Sequence, residues 1–434
     1  YAPGTNHVLY GGDFGDKPNL KAFCLNGVVF SDRSVSAKYQ EVKHVYAPVW
    51  ITQKGDEIWV KNHHSHLSLE GFSCQYQVTK NGVVGQESVL KMPSVQPGDS
   101  AKLCSLHDFK AYKNTDSRLN ISVISQQGVE VGREQIALSD NLYEAGWKLA
   151  ADAMKRYKSS RRLATLSTAE LLARNFSVIP QFFRAPTDND KSFGNWIAKD
   201  WKKTHLDSTL SAIPLKDGEY VYHYGEDGAS DKAGSSASTK SGGNIRLRLE
   251  VSPQQDGFVD VKATYSFEGN LPELPRLGLM MKLPRVAYDQ VKWYGRGPWE
   301  NYPDRKQSCP IGWYESSVED QFTHYPRPQD NGNHEDCSYI ELTNKNGKNA
   351  LQVIAVGDTP LSFSALPYSV ADLYAARHDF ELKQSGNPNL RYTYLSLDCA
   401  VLGLGNSSCG PGVLKKYAID KTKTYTLHFK MRIL

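Results

Sequence analysis

A chain of 434 residues is long enough for two or three domains, and its 40% hydrophobic and 23% charged content is that of an ordinary globular protein, not a disordered or fibrous one. The net charge of +4 is spread along the chain, which argues against a dedicated nucleic-acid binder, and no apolar run approaches the ~18 residues that cross a membrane. Aromatic residues reach 11%, with 24 Tyr and 8 Trp, a content that fits β-structure and the stacking of flat rings on sugars.

The chain opens on YAPGTNHV, with no Met and no signal-peptide pattern, and reads as the cut end of something longer. From about residue 36 the pattern has period 2, as in DEIWVKN (Asp56–Asn62) and NISVIS (Asn120–Ser125). Asn81-Gly82 separates two strand-like runs, and both residues tolerate the positive φ of a tight hairpin. QPGDS (Gln96–Ser100) is a further turn. Turns at roughly ten-residue spacing predict an immunoglobulin-like sandwich over 36–140. Residues 141–180 form a basic connector of different character. Within it Gly146–Arg174 is rich in Ala, Lys and Leu and admits a helix, with Thr168 and Glu170 near one helical start. Its run KRYKSSRR reads first as a solvated linker and second as a polyanion contact.

Beyond Phe176 the strand rhythm returns and holds to YTLHFKMRIL (Tyr425–Leu434). NIRLRLEVS (Asn244–Ser252) and FVDVKATYSFEG flank an Asp256-Gly257 turn. The polar GASDKAGSSASTKSGG (Gly228–Gly243) reads as a loop joining two strands. One large β-sandwich over 181–434 is expected, so the fold class is all-β. With no βα alternation, a complete TIM barrel or Rossmann domain is excluded from this chain.

Chemistry-bearing residues are scattered. Seven cysteines (Cys24, Cys74, Cys104, Cys309, Cys337, Cys399, Cys409) lie far apart, make no CxxC spacing and are odd in number, so they reveal neither a zinc site nor a compartment. Sequons at Asn120, Asn175 and Asn406 matter only in a secreted eukaryotic protein. Glycoside hydrolysis needs two carboxyls across the scissile bond, and Asp188/Asp190, Glu300/Asp304 and Asp330/Glu335 are candidate pairs. Each sits in a Gly/Pro/Asn-rich segment, where acidic residues also cap turns. His63, His64 and His66 lack a third metal ligand that the sequence can name. GLGNSSCGPG (Gly403–Gly412) lacks the glycine spacing of a phosphate loop and reads as a tight turn. DNDKSFGNWIAKDW (Asp188–Trp201) carries Trp196 and Trp201 and is placed to border a pocket or to pack in the core.

Six stretches taken in order carry a resemblance: YGGDFGD (Tyr10–Asp16), AFCLNGVVFSDR (Ala22–Arg33), FFRAPTDND (Phe182–Asp190), GRGPWENYPDR (Gly295–Arg305), YPRPQDNGNHED (Tyr325–Asp336) and LDCAVLGLGNSSCGPG (Leu397–Gly412). Together they resemble the C-terminal half of the large LacZ-type β-galactosidases of glycoside hydrolase family 2, over nearly the whole chain. The resemblance implies that residues 1–35 are the tail of an upstream catalytic barrel, 36–140 the second immunoglobulin-like domain, and 181–434 the final β-sandwich of galactose-mutarotase-like fold. It places both catalytic glutamates upstream, so no catalytic residue is expected here and the chain alone is expected to be inactive. Phe23 matches a mobile active-site Phe whose carbonyl also ligates sodium, and Asn26 matches a second sodium ligand. Magnesium is implied for the parent enzyme with its ligands outside this chain. Tyr394 aligns with a Trp that stacks on substrate, and Lys191–Trp196 with a loop at the entrance.

The implied partners are a β-galactoside, the missing catalytic portion and further copies in a homo-oligomer, with no nucleic acid and no membrane. The compartment stays open between cytoplasm, periplasm and exterior. Two departures from the family pattern stand out: a short basic connector, and HHSH in place of a more aromatic run. Two other readings remain: a non-catalytic galactoside-binding scaffold, and an aldose epimerase using His378 with a Glu.

Overall fold

The computed structural model describes residues 5, 7–25, 27–112, 114–158, 177–191, 197–212, 214–226, 228–233, 242–254, 257–347, 350–357, 359–383 and 387–434. Thr168, Glu170, the second half of KRYKSSRR, Trp196 and half of the polar Gly228–Gly243 segment lie outside them.

Among the described residues of the first 46 there is no strand. A 3-10 turn, Lys21–Cys24, precedes helix α1 (Ala37–Val45), whose N-terminus is capped by Ser36 accepting from the Tyr39 N–H. Two small sheets follow. One is ordered β1-β2-β5 (β1, Val49–Lys54; β2, Glu57–Asn62; β5, Ser100–Ser105). The other is ordered β4-β3-β6-β7 (β3, Ser73–Lys80; β4, Val83–Leu90; β6, Ser117–Ile124; β7, Glu130–Ser139). Alternate residues Ile58 and Val60, and Leu119, Ile121 and Val123, fill the space between the sheets. Asn81 (φ 48) and Gly82 (φ 77) make the β3–β4 turn with both residues left-handed, which matches the expected hairpin.

Helix α2 (Leu142–Lys158) then leads to the large sandwich. Its first sheet has nine strands ordered β10-β9-β11-β12-β21-β18-β17-β14-β15. These are β9 (Gly218–Gly225), β10 (Gly228–Ala233), β11 (Gly243–Pro253), β12 (Val259–Gly269), β14 (Gln290–Arg296), β15 (Ile311–Ser317), β17 (Tyr339–Thr343), β18 (Ala350–Ala355) and β21 (Tyr425–Ile433). The second is ordered β16-β19-β20-β13-β8: β8 (Ser177–Gln181), β13 (Arg276–Pro284), β16 (His334–Cys337), β19 (Leu361–Leu366) and β20 (Tyr392–Val401). Leu247, Val261, Val353 and Leu427 of the nine-stranded sheet meet Leu279, Phe363, Leu395 and Leu397 of the other. Each such buried side chain contributes roughly 1.5–3 kcal/mol. One residue on, Tyr294, Tyr339 and Ile354 point to the opposite face, and there Ala145, Ala150 and Ala153 of α2 cover them. All-β architecture is therefore what the sequence led us to expect, with one added helix sealing an outer face.

The two sandwiches are joined by specific polar contacts. The Tyr294 hydroxyl donates to Asp116 at 2.6 Å, and Arg118 pairs with Asp116 at 2.7 Å. The Gln135 side chain both accepts from the Ile311 N–H and donates to its carbonyl, at 2.8 and 2.9 Å. The N-terminal segment is seated on the large sandwich in turn. Glu41 accepts the Gln307 and Ser308 N–H groups, Phe30 packs edge-on to Tyr325, and Asp13 meets His378 at 2.7 Å.

Candidate functional site

Where the N-terminal segment rests on the large sandwich they enclose a cavity of about 1020 Å³. Leu20, Phe23, Leu25 and Phe30 supply one apolar wall. The opposite wall comes from sandwich loops: helix α3 (Asp188–Lys191) and the residues before it, Glu300 to Arg305, Tyr325 to Asp330, and Leu404 with Ser408. An apolar wall facing a few convergent polar groups is the usual make-up of a small-molecule site, and at this volume the cavity is large enough for one.

The loop Tyr294–Arg305 forms much of the polar wall. Its Gly297–Pro298 peptide is cis, and Gly297 has no room for a side chain, because a Cβ there would meet the Tyr314 ring at 2.6 Å. Glu300 is buried and receives Tyr325 Oη at 2.5 Å, Arg305 Nη2 at 2.9 Å and the Gly332 N–H at 2.8 Å. Burial alone would raise its carboxyl, but the Arg305 charge and these donors outweigh that and hold it below the usual range. Tyr302 is fully buried and donates to Asp330 at 2.9 Å. Burial, with Asp330 and Glu300 nearby, drives its hydroxyl well above the ordinary tyrosine range. Asp304 accepts the Leu404 and Gly405 N–H groups at 2.9 and 2.7 Å, tying this loop to the glycine-rich Gly403–Gly412 turn. Trp299, by contrast, is 37% exposed and anchors nothing in the core.

Each candidate carboxylate pair is split. Asp188, Glu300 and Asp330 line the cavity, whereas Asp190, Asp304 and Glu335 do not. Asp190 is committed to Arg184 at 2.8 Å, and Asp330 to Tyr302 and, at 3.5 Å, Arg276. Asp330 is raised, burial prevailing over Arg276 and Arg184. Glu335 accepts from Asn333 at 2.8 Å, and burial pushes its carboxyl up to about 7. Acids so thoroughly bonded serve the loop, which is the turn-capping alternative considered for all three pairs. The histidines of HHSH form no metal cluster among the described residues; His64 bonds Asn62 at 2.9 Å, and His63 lies over Trp50. His378 stands between Asp13 and Glu381, at 2.7 and 2.8 Å, away from the cavity lining.

Of the residues singled out for substrate, Phe23 lines the cavity, in the Lys21–Cys24 turn. Tyr394 does not: it lies in β20 at 6% exposure, its hydroxyl 3.4 Å from the Asn389 carbonyl. Asn26 lies outside the described residues. Trp201 is fully buried and donates to the Glu273 carbonyl at 2.6 Å, so it belongs to the core. Lys191 and Arg327 are cavity residues to which sequence reasoning gave no individual role. Lys191 is pushed down to about 8 by burial first and by Arg327 second.

Comparison with known proteins identifies the family. Residues 154–431, nearly two thirds of the chain, match the model of the family described as "Beta galactosidase small chain". Residues 2–51 match that of "Glycosyl hydrolases family 2, TIM barrel domain". A β-galactosidase of Priestia megaterium is 28% identical over 99% of this chain, and one of Lactobacillus delbrueckii subsp. bulgaricus likewise is 28% identical over 99%. A third, from Halalkalibacterium halodurans, is 26% identical over 96%. The chain spans 42–43% of the length of these relatives.

Proposed function

We propose a function from one premise: this chain belongs to the β-galactosidase small-chain family, as the match over residues 154–431 shows. On that premise it is the C-terminal portion of a retaining β-galactosidase, and the cavity between its N-terminal segment and its large sandwich is one wall of the substrate pocket. The observation that carries this reading is that Phe23 and its apolar neighbours face the bonded Glu300–Tyr325–Arg305 loop across a ligand-sized space. Phe23 would cover the sugar and exclude water, and the loop would hold the wall rigid. The catalytic carboxylates would come from protein outside this chain.

The surface supports the same reading. Ten of the nineteen large apolar side chains that lie exposed among the described residues fall between Phe14 and Trp50, including Tyr46 at 80% and Phe14 at 67%. So many exposed apolar side chains in one short segment fit a surface that contacts more protein. The remainder of a catalytic barrel is the partner proposed for it, with subunit contacts in a homo-oligomer elsewhere. Sodium is proposed at the Phe23 carbonyl with the Asn26 amide, since a hard cation takes such oxygens. Magnesium is proposed for the complete protein, on ligands outside this chain.

Activity on 4-nitrophenyl β-D-galactoside tests the proposal. The complete protein should hydrolyse it with retention and the 434-residue chain should not. Hydrolysis by the chain alone, or none by the complete protein, would overturn it. The scaffold alternative instead requires the chain alone to bind galactose measurably without hydrolysis.

A further inference from the structure

The cavity carries more positive charge than its own structure uses. Among its lining groups Glu300 is bonded to Arg305 and Asp330 is shared with Arg276, which leaves Asp188 as the acid facing the remaining cations. Lys191 is half-buried, and its ammonium makes no hydrogen bond or ion pair with any described residue. Arg327 reaches Asp188 only at 4.0 Å and makes no side-chain hydrogen bond there. Lys38 enters from α1 and bonds the Gly27 carbonyl at 3.1 Å, not an acid. Arg305 Nε is buried without an acceptor. Like charges also crowd one another: Arg327 disfavours the charged form of Lys191, and Arg305 that of Lys38, each after burial itself. Asp188 and Asp190 offset this only in part, since Lys191 is still held below its ordinary value. Half-buried cations held together and incompletely compensated destabilise a fold unless something negative joins them.

We infer that this cavity accepts an anionic group, so that the galactoside it takes carries a sulfate, phosphate or carboxylate substituent seated between Lys191 and Arg327. The inference rests on the proposed function and sharpens its substrate class. An oxyanion there would accept from the Arg327 guanidinium and the Lys191 ammonium, and both are stronger partners for an anion than for a neutral hydroxyl. Asp188, held by Gln329 and 4.0 Å from Arg327, would keep the guanidinium turned toward the cavity while the site is empty. A rival occupant exists, namely carboxylates from the rest of the protein, and it makes the opposite prediction for anionic ligands.

The test uses the complete protein and competition against 4-nitrophenyl β-D-galactoside hydrolysis. D-Galactose 6-sulfate, D-galactose 6-phosphate and D-galacturonate are each compared with neutral D-galactose. At least one anionic sugar should inhibit about tenfold more strongly than galactose, a margin of about 1.4 kcal/mol. Which one does so distinguishes ester from carboxylate. The preference should fall to within about twofold in Lys191→Met and, as a second and separately folding variant, Arg327→Gln. Equal inhibition by all four sugars, or a preference that survives both substitutions, overturns the inference and leaves the galactosidase reading intact. Should the complete protein hydrolyse no galactoside, that reading fails first. Calorimetric titration with the same four sugars then decides the anion site alone: tighter binding of an anionic sugar that both variants lose supports it, and no such difference refutes it.

Discussion

Glu300 and Arg305 show how a pair of charges can be structural although it lines a pocket. Both are buried, and their attraction is supplemented by Tyr325 and the Gly332 N–H, so few lone pairs of the carboxylate are left for a ligand. Removing one partner of such a pair strands the other, which costs about 3–5 kcal/mol. Glu300→Gln should therefore lower stability by that order in chemical denaturation. A loss under about 1 kcal/mol would mean that the carboxylate acts on a ligand and not on the loop. Glu335 makes a pH prediction. Its folded carboxyl is raised to about 7, above its unfolded value. Between about pH 4.5 and 7 the folded state thus holds a proton that the unfolded state has lost, so this group's contribution falls as pH rises through that window. Glu335→Gln removes the effect. The stability of the variant relative to the parent should rise by roughly 3 kcal/mol from pH 4.5 to pH 8, and a flat difference would show that the carboxyl titrates normally. The acidic pairs themselves were visible in the sequence, but their separation was not. Asp330 is taken by Tyr302, 28 residues earlier, and Glu335 by its neighbour Asn333, and no local pattern records either choice.

At the level of elements, the strands were the most legible feature, because alternation in NIRLRLEVS and YTLHFKMRIL records which face each residue presents. Those segments are β11 and β21. The Asn81-Gly82 hairpin was equally legible, since its turn chemistry is local. What the hairpin touches was not. Its tip abuts the large sandwich so closely that a Cβ on Gly82 would lie 2.7 Å from Tyr294 and 2.8 Å from Trp313. Gly98 has a similar φ of 82° but open space around it. Alanine at Gly98 should cost only backbone strain, about 1 kcal/mol. Alanine at Gly82 should cost a further 1–3 kcal/mol for the clash. Comparing the denaturation midpoints of the two variants checks this; equal losses would mean that the tip is not pressed against the sandwich. Helix α2 was legible as helical composition, whereas its seat on the outer face of the nine-stranded sheet follows from Tyr294, Tyr339 and Ile354, which no local pattern connects to it.

For the whole molecule, the division of labour follows from where burial is complete. The large sandwich has a continuous core, whereas the described residues before β1 include few buried apolar groups and many exposed ones. A segment of that kind is held in place by what surrounds it, so the pocket wall it forms should be complete only in the complete protein. Six ordered motifs made the family legible from sequence alone. The pocket was not legible, because its two walls are about 150 to 380 residues apart along the chain and meet only in the fold.

Phe23 is where the two walls meet the proposed substrate. Steady-state kinetics of Phe23→Ala in the complete protein, with 4-nitrophenyl β-D-galactoside, bears most directly on the cavity as the substrate pocket. Loss of a ring that covers the sugar should lower kcat/KM by roughly tenfold or more, with the denaturation midpoint little changed because Phe23 lies outside the core. An unchanged kcat/KM would place the substrate elsewhere.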